Sequence, residues 1–162
     1  MLYDLKESKA GPSVDRRFKP RRASILDDLV LEALQPLDIL QVGYRGEVLD
    51  GDDGIPASRR TGSLQEAVSV ITQHELDAIV LRSGIADAWP TVAYEHIANL
   101  AGRTPIVVQT DYVAPMASLK QRHHREQDVI VSTTKPSLLA RLILATILRS
   151  RALAEDPGAQ SA

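Results

Sequence analysis

Two polar residues stand where a sheet-based binding site would be expected. Arg82 and Thr110 each end a short run of apolar residues that is typical of a buried strand. Open α/β sheets bind ligands at the carboxyl edge of their strands. An arginine beside a hydroxyl group could hold an anion such as phosphate there. The alternative is that Arg82 only pairs with Asp87 or Asp111 inside the fold.

Other residues with catalytic or metal-binding potential are poorly arranged for either role. Asp50, Asp52 and Asp53 crowd one loop, but their spacing does not complete a calcium loop, so a solvated turn is favoured. His123 and His124 are adjacent, and neighbouring residues on a helix do not face the same way. The sequence also lacks a glycine-rich phosphate loop and a nucleophile with a base. We therefore expect no enzymatic activity, catalytic residue, cofactor or metal.

Composition and charge limit the possible partners. The chain has 162 residues, no cysteine and a formal net charge of -2. Disulfides and thiolate metal sites are excluded, and the composition fits a cytoplasmic protein. The small net charge gives no general attraction to nucleic acid or to anionic membranes. The longest apolar stretch, 138–148, is interrupted by Arg141 and is too short to span a bilayer. We expect a protein partner.

The chain divides into a leader, one domain and a tail. Residues 1–24 are basic and have no apolar periodicity, which predicts a disordered leader. The alternative is an electrostatic arm for nucleic acid or an acidic partner. Residues 25–153 form the domain, and 154–162 are expected to be a disordered tail.

Strands and helices alternate through the domain. A capping box formed by Ser63 and Glu66 opens one helix, and Pro90 and Pro136 each suit the first position of another. Arg125 is expected on the outer side of the helix that buries Met116. This alternation with short loops predicts a parallel sheet with helices on both faces. The predicted strands are 38–44, 77–81, 105–110 and 129–131, and the predicted helices include 24–34 and 136–153.

The stretch 61–153 resembles the receiver domain of bacterial response regulators. The likeness lies in the patterns of 62–67 and 76–81 for the second helix and third strand, the loop 83–87, and the strands at 105–110 and 127–131. It implies a doubly wound parallel sheet of flavodoxin-like receiver type. Between residues 44 and 61 there is too little chain for the family's first helix and second strand. We therefore expect an altered first half, in which helix 24–34 covers the exposed sheet face; the alternative is a reduced or rearranged first half.

The same resemblance implies a degenerate phosphorylation pocket. The family's acidic pair, which helps to hold magnesium, falls on Gly43 and Tyr44, and its phosphoryl-accepting aspartate falls on Arg82. Thr110 is retained, whereas the family's lysine falls on Ser132. Magnesium requires oxygen ligands, and the guanidinium of arginine cannot act as a nucleophile. The resemblance is therefore to a non-phosphorylated pseudo-receiver of two-component signalling.

The last predicted helix carries more apolar residues than one buried stripe needs. Leu138 and Leu148 are the expected surplus, and Arg141 and Arg149 could form a charged rim around them. Such residues would mark an interface with a partner or with a second copy of the chain. The alternative is that they belong to a larger buried core.

These observations predict a phosphorylation-independent signalling module that acts by protein–protein interaction, with a homodimer left open. The alternative function is a small-molecule sensor that binds an anion or nucleotide near Arg82 and Thr110. The single tryptophan, Trp89, lies in the loop after the third predicted strand. It either plugs the vacated pocket or serves as a contact anchor.

Overall fold

Five strands and five helices alternate along the chain in a computed structural model that describes residues 25–43, 57–132, 135–156 and 158. The predicted leader, the aspartate loop 50–53 and Tyr44 lie outside the described residues. In chain order the elements are α1 (Ile25–Leu34), β1 (Ile39–Val42), β2 (Arg59–Thr61), α2 (Leu64–Gln73), β3 (Ala78–Arg82), α3 (Pro90–Leu100), β4 (Ile106–Gln109), α4 (Val113–Arg122), β5 (Val129–Val131) and α5 (Pro136–Glu155).

The strands form one sheet in which every neighbouring pair is parallel. Their order is β2-β1-β3-β4-β5. This order, with helices on both faces, confirms the predicted doubly wound, flavodoxin-like architecture and is the strand order of the receiver fold. The central strands β1, β3 and β4 are almost wholly buried, as expected for parallel strands that are covered on both sides.

Alternate residues of each strand supply two separate cores. Leu40, Ile79 and Val108 face one core, which is completed by side chains of α2, α3 and α4. Ile39 and Val80 face the other, which is completed by α1 and α5. Side chains alternate along a strand. Odd and even positions of each strand therefore pack against different sets of helices.

Of the alternatives for the first half of the domain, the described residues show the covering helix. Helix α1 precedes β1 and packs beside α5 on the same sheet face, where it buries Val30 and Leu34. The Asp27 carboxylate accepts a hydrogen bond of 2.6 Å from Arg141 of α5. The helix that was expected to cover this face therefore does so, and it is joined to α5 by an ion pair.

Strand β2 was not predicted, and polar contacts fix its place. The Asp38 carboxylate accepts hydrogen bonds from Ser58 Oγ (2.7 Å) and Arg59 Nε (3.1 Å), while Ser58 Oγ accepts one from the Ile39 amide (2.9 Å). Burial alone would raise the pKa of Asp38, but the hydrogen bonds from Ser58 and Arg59 hold it below its usual value. These contacts align β2 with the start of β1.

Arg125 is buried, which corrects the prediction that it lies on the outside of a helix. Helix α4 ends at Arg122, and the turn that follows directs Arg125 inward, where its guanidinium pairs with Asp128. Asp128 also accepts hydrogen bonds from the Tyr94 hydroxyl (2.7 Å) and the Ile106 amide (2.9 Å). Burial is the main cause that raises the pKa of Tyr94 well above its usual range, and the interaction with Asp128 raises it further. This network joins α3, β4 and the start of β5.

Candidate functional site

Four of the five predicted pocket positions meet at one edge of the sheet. Gly43 follows β1, Arg82 ends β3, Thr110 follows β4 and Ser132 follows β5. Because the strands are parallel and adjacent, these residues share the carboxyl edge, where α/β sheets bind ligands. The fifth position, Tyr44, lies outside the described residues.

Gly43 leaves no space for a side chain between β1 and β3. Its φ is +81°, and its amide donates a hydrogen bond of 2.9 Å to the Thr61 carbonyl. A Cβ atom at this position would lie 2.7 Å from the Arg82 carbonyl oxygen and 3.1 Å from Ile85 Cγ1. Both the backbone conformation and the close approach of β3 therefore favour glycine. This backbone could not present a carboxylate from position 43.

The half-buried Arg82 side chain bonds to the neighbouring strand. Its Nε donates a hydrogen bond of 3.0 Å to Gln109 Oε1, from the residue directly across in the β3–β4 register. Gln109 is buried. By the alternation of the strand, Arg82 shares a face with Val80, which packs under α1 and α5. The guanidinium thus engages a side chain within the fold.

Asp87, one of the two expected partners of Arg82, instead caps a helix. Its carboxylate accepts hydrogen bonds from the amides of Leu64 (2.6 Å) and Gln65 (3.2 Å), at the amino end of α2. The Leu64 amide is the main reason that the pKa of Asp87 is lowered. Ser63 Oγ accepts a hydrogen bond from the Glu66 amide, which is one half of the predicted capping box, whereas Glu66 Oε2 accepts from the Gly62 amide (3.3 Å). The loop after β3 is therefore anchored to α2.

Thr110 and Arg82 make different contacts. The Thr110 amide donates to the Val131 carbonyl, so the pairing with β5 continues through this residue. Its hydroxyl oxygen accepts a hydrogen bond of 3.0 Å from the Tyr112 amide. Because Thr110 directly follows Gln109, its side chain projects from the opposite face of the sheet to the side chain that binds Arg82. The geometry does not direct the two predicted anion ligands to one point.

The Trp89 side chain does not fill the predicted pocket at the carboxyl edge of the sheet. It occupies the N-cap position of α3 and is 76% exposed. Tyr112 holds the same position in α4 and is also exposed. Of the two alternatives for Trp89, a plug for the vacated pocket is wrong, and a role as a contact anchor stays a prediction.

The surplus leucines of α5 face the solvent. Leu138 is 47% and Leu148 56% exposed, whereas Leu139 and Ile143 of the same helix are buried. This exposure excludes the alternative of a larger core. Arg141 is not simply a rim residue, because it pairs with α1 through Asp27; Arg149 is exposed.

The described residues show neither a cluster of metal ligands nor a membrane-spanning helix. Across the described ranges, no group of three or more histidine, aspartate or glutamate side chains could hold a metal ion. No helix in the described part of the chain combines the length and apolar character needed to cross a membrane.

Comparison with known proteins leaves the fold as the guide to function. No family model matches the chain, and neither curated proteins nor solved structures give a significant match. The parallel strand order defines the class, a flavodoxin-like α/β domain with the strand order of receivers. One fold hosts many functions, so the function has to be argued from the site.

Proposed function

We propose that this protein is a receiver-like signalling module that acts by binding a protein partner and does not use phosphorylation. The observation that carries the proposal is the contact between Gly43 and β3. The position that would have to supply a magnesium ligand has no room for a Cβ atom, because the Arg82 carbonyl oxygen lies 2.7 Å from where that atom would be.

Charge supports the same conclusion. Phosphoryl transfer to a carboxylate needs a nucleophile and a cation that offsets the charge of the phosphoryl oxygens. Here the nucleophile's position holds Arg82, whose guanidinium bonds to Gln109. An arginine in this place neither attacks phosphorus nor binds magnesium. The edge is better suited to a fixed structural role than to a phosphorylation cycle.

Binding of an anion or nucleotide at the same edge is the weaker proposal. It requires Arg82 and Thr110 to act on one ligand, yet the Arg82 guanidinium bonds to Gln109 while the Thr110 hydroxyl accepts from Tyr112. Binding of a protein partner is the better supported proposal, because the surface exposes apolar residues that a partner could contact, including Trp89 and Leu148. Aromatic residues on a surface are frequent anchors of protein interfaces.

The first experiment offers the protein a phosphoryl donor. The full chain is incubated with acetyl phosphate and magnesium beside a phosphorylatable receiver domain as the positive control. We expect the control to gain one phosphoryl group by intact mass and this chain to gain none. The Arg82→Asp variant should also remain unmodified, because position 43 still provides no carboxylate. A phosphoryl adduct on a residue of this edge in the wild-type chain would overturn the proposal.

A second experiment addresses binding. The immobilised chain is exposed to cytoplasm of the source cells, with and without acetyl phosphate, and bound proteins are identified by mass spectrometry. We expect the same specific partner in both conditions. A partner that binds only after treatment of the chain with acetyl phosphate would show that recognition depends on phosphorylation and would refute the proposal.

A further inference from the structure

Helices α1 and α5 carry most of the exposed large apolar side chains of the described residues. Among the described residues, six of the eleven exposed large apolar side chains lie on these two neighbouring helices. They are Ile25, Leu26, Leu29 and Leu31 on α1, with Leu138 and Leu148 on α5. Exposed apolar residues that cluster in this way usually mark a contact surface. We call this surface the α1–α5 face.

The two helices carry opposite charges. Helix α1 contains three acidic residues and no basic one, whereas α5 contains three arginines and one glutamate. Asp27 pairs with Arg141, and Asp77, before β3, pairs with Arg151. Within the described part of the chain, these pairs leave Asp28 and Glu32 on α1, and Arg149 and Glu155 on α5, without an ionic partner. The α1–α5 face is therefore complementary to itself.

We propose that the α1–α5 face binds a second copy of this chain in a two-fold arrangement, with α1 of one protomer against α5 of the other. The inference rests on the proposed function, because it names the surface and partner of the interaction module. A two-fold interface uses the same patch on both subunits, so each patch must complement itself. An acidic apolar helix beside a basic apolar helix meets that requirement.

Chain direction makes this pairing geometrically consistent. Helix α1 leads into β1 and therefore runs from the carboxyl edge of the sheet to the amino edge; α5 follows β5 and runs the same way. The Asp27–Arg141 pair lies near the start of both helices. A two-fold axis parallel to the helices would place α1 against the partner's α5 in the same direction. Glu32 would then lie within about one turn of Arg149 of the partner subunit.

Apolar contacts would supply the affinity, and the charges would select the orientation. The first test measures the mass of the full chain in solution by sedimentation and light scattering between about 1 and 100 μM, a range that covers typical micromolar association. We expect a concentration-dependent dimer. Leu29→Glu and Leu148→Glu should each raise the dimer dissociation constant by about 10- to 100-fold. Leu100→Glu, an exposed site on α3 at the opposite sheet face, is the matched control and should leave it unchanged.

The orientation is tested by exchanging charges. Glu32→Arg and Arg149→Glu should each weaken the dimer about three- to tenfold, because each places like charges opposite one another at two symmetric positions. The double variant restores opposite charges and should recover wild-type affinity. Circular dichroism melts verify that every variant is folded.

Three results would overturn the inference. They are a wild-type chain that is monomeric throughout the concentration range, folded leucine variants that dimerise like the wild type, and a double charge variant that is weaker than both single variants. None of them bears on phosphorylation, which the acetyl phosphate experiment decides separately. The dimer and the proposed function can therefore fail independently.

Discussion

Replacing Gly43 with alanine should destabilise the domain more than the loss of conformational freedom alone explains. The residue has a φ of +81°, and a non-glycine residue in this region costs about 1 to 3 kcal/mol. The added Cβ would also lie 2.7 Å from the Arg82 carbonyl oxygen. That oxygen belongs to β3, so relief of the contact must disturb the β1–β3 pairing at the centre of the sheet.

The expected magnitude follows from the two effects. Overpacking a well-filled site costs about 1 to 3 kcal/mol. With the backbone cost, Gly43→Ala should lower the free energy of unfolding by about 2 to 6 kcal/mol. Stabilities of natural domains are about 5 to 15 kcal/mol, so a large share of the total would be lost. Urea unfolding followed by circular dichroism would show a lower midpoint with an unchanged slope.

Gly102 provides a matched control. It also has a positive φ, +56°, but a Cβ there would meet no atom within 4 Å. Gly102→Ala should therefore show only the backbone cost, about 1 to 3 kcal/mol. The difference between the two variants isolates the close approach of β3 to Gly43. Equal losses of stability would refute the claim that the Arg82 carbonyl oxygen leaves no room for a Cβ atom at position 43.

Two further predictions concern polar contacts elsewhere in the domain. Asp128→Ala should lower the free energy of unfolding by about 3 to 5 kcal/mol in urea, because it leaves the buried Arg125 charge unpaired. Tyr94→Phe removes one hydrogen bond and should lower it by only about 1 to 2 kcal/mol. Similar losses in the two variants would contradict this ranking. The hydrogen bonds from Ser58 and Arg59 lower the pKa of Asp38 in the folded state, so these contacts stabilise the domain above the unfolded-state pKa of Asp38. The stability gap between wild type and Asp38→Asn should be widest above about pH 5 and should close below about pH 3, whereas a gap that widens on acidification would reverse the assigned sign.

Elements with a strong apolar pattern could be predicted from the sequence. An element whose position depends on polar contacts with distant residues could not. Strands β3 and β4 are short apolar runs, and both lie where they were expected. Strand β2 reads Arg-Arg-Thr and carries no apolar pattern. Its position depends on Asp38, about twenty residues earlier in the chain. A contact of this kind leaves no local signal in the sequence.

The candidate site shows the same division. Periodicity placed Arg82 at the end of a central strand, but only the register of β3 with β4 reveals that Gln109 lies across from it. Arg125 was predicted to be exposed because the helix was extended past its true end. The helix stops at Arg122, and His124 adopts a positive φ of 52° in the turn that follows. That backbone reversal, which is rare for a residue other than glycine, sends the next side chain inward.

The steric contact at Gly43 and the exposed α1–α5 face together bear on how the protein would be regulated. A ligand shifts a protein between two states only through a difference in its affinity for them. Under the proposed function, phosphorylation supplies no such difference, because a Cβ atom at position 43 would clash with the Arg82 carbonyl oxygen and Arg82 bonds to Gln109. Association through the α1–α5 face would then depend on the concentration of the chain by mass action. Under the proposed function, control would therefore lie in how much of the chain is made, because the proposed dimer forms only as the concentration of the chain rises.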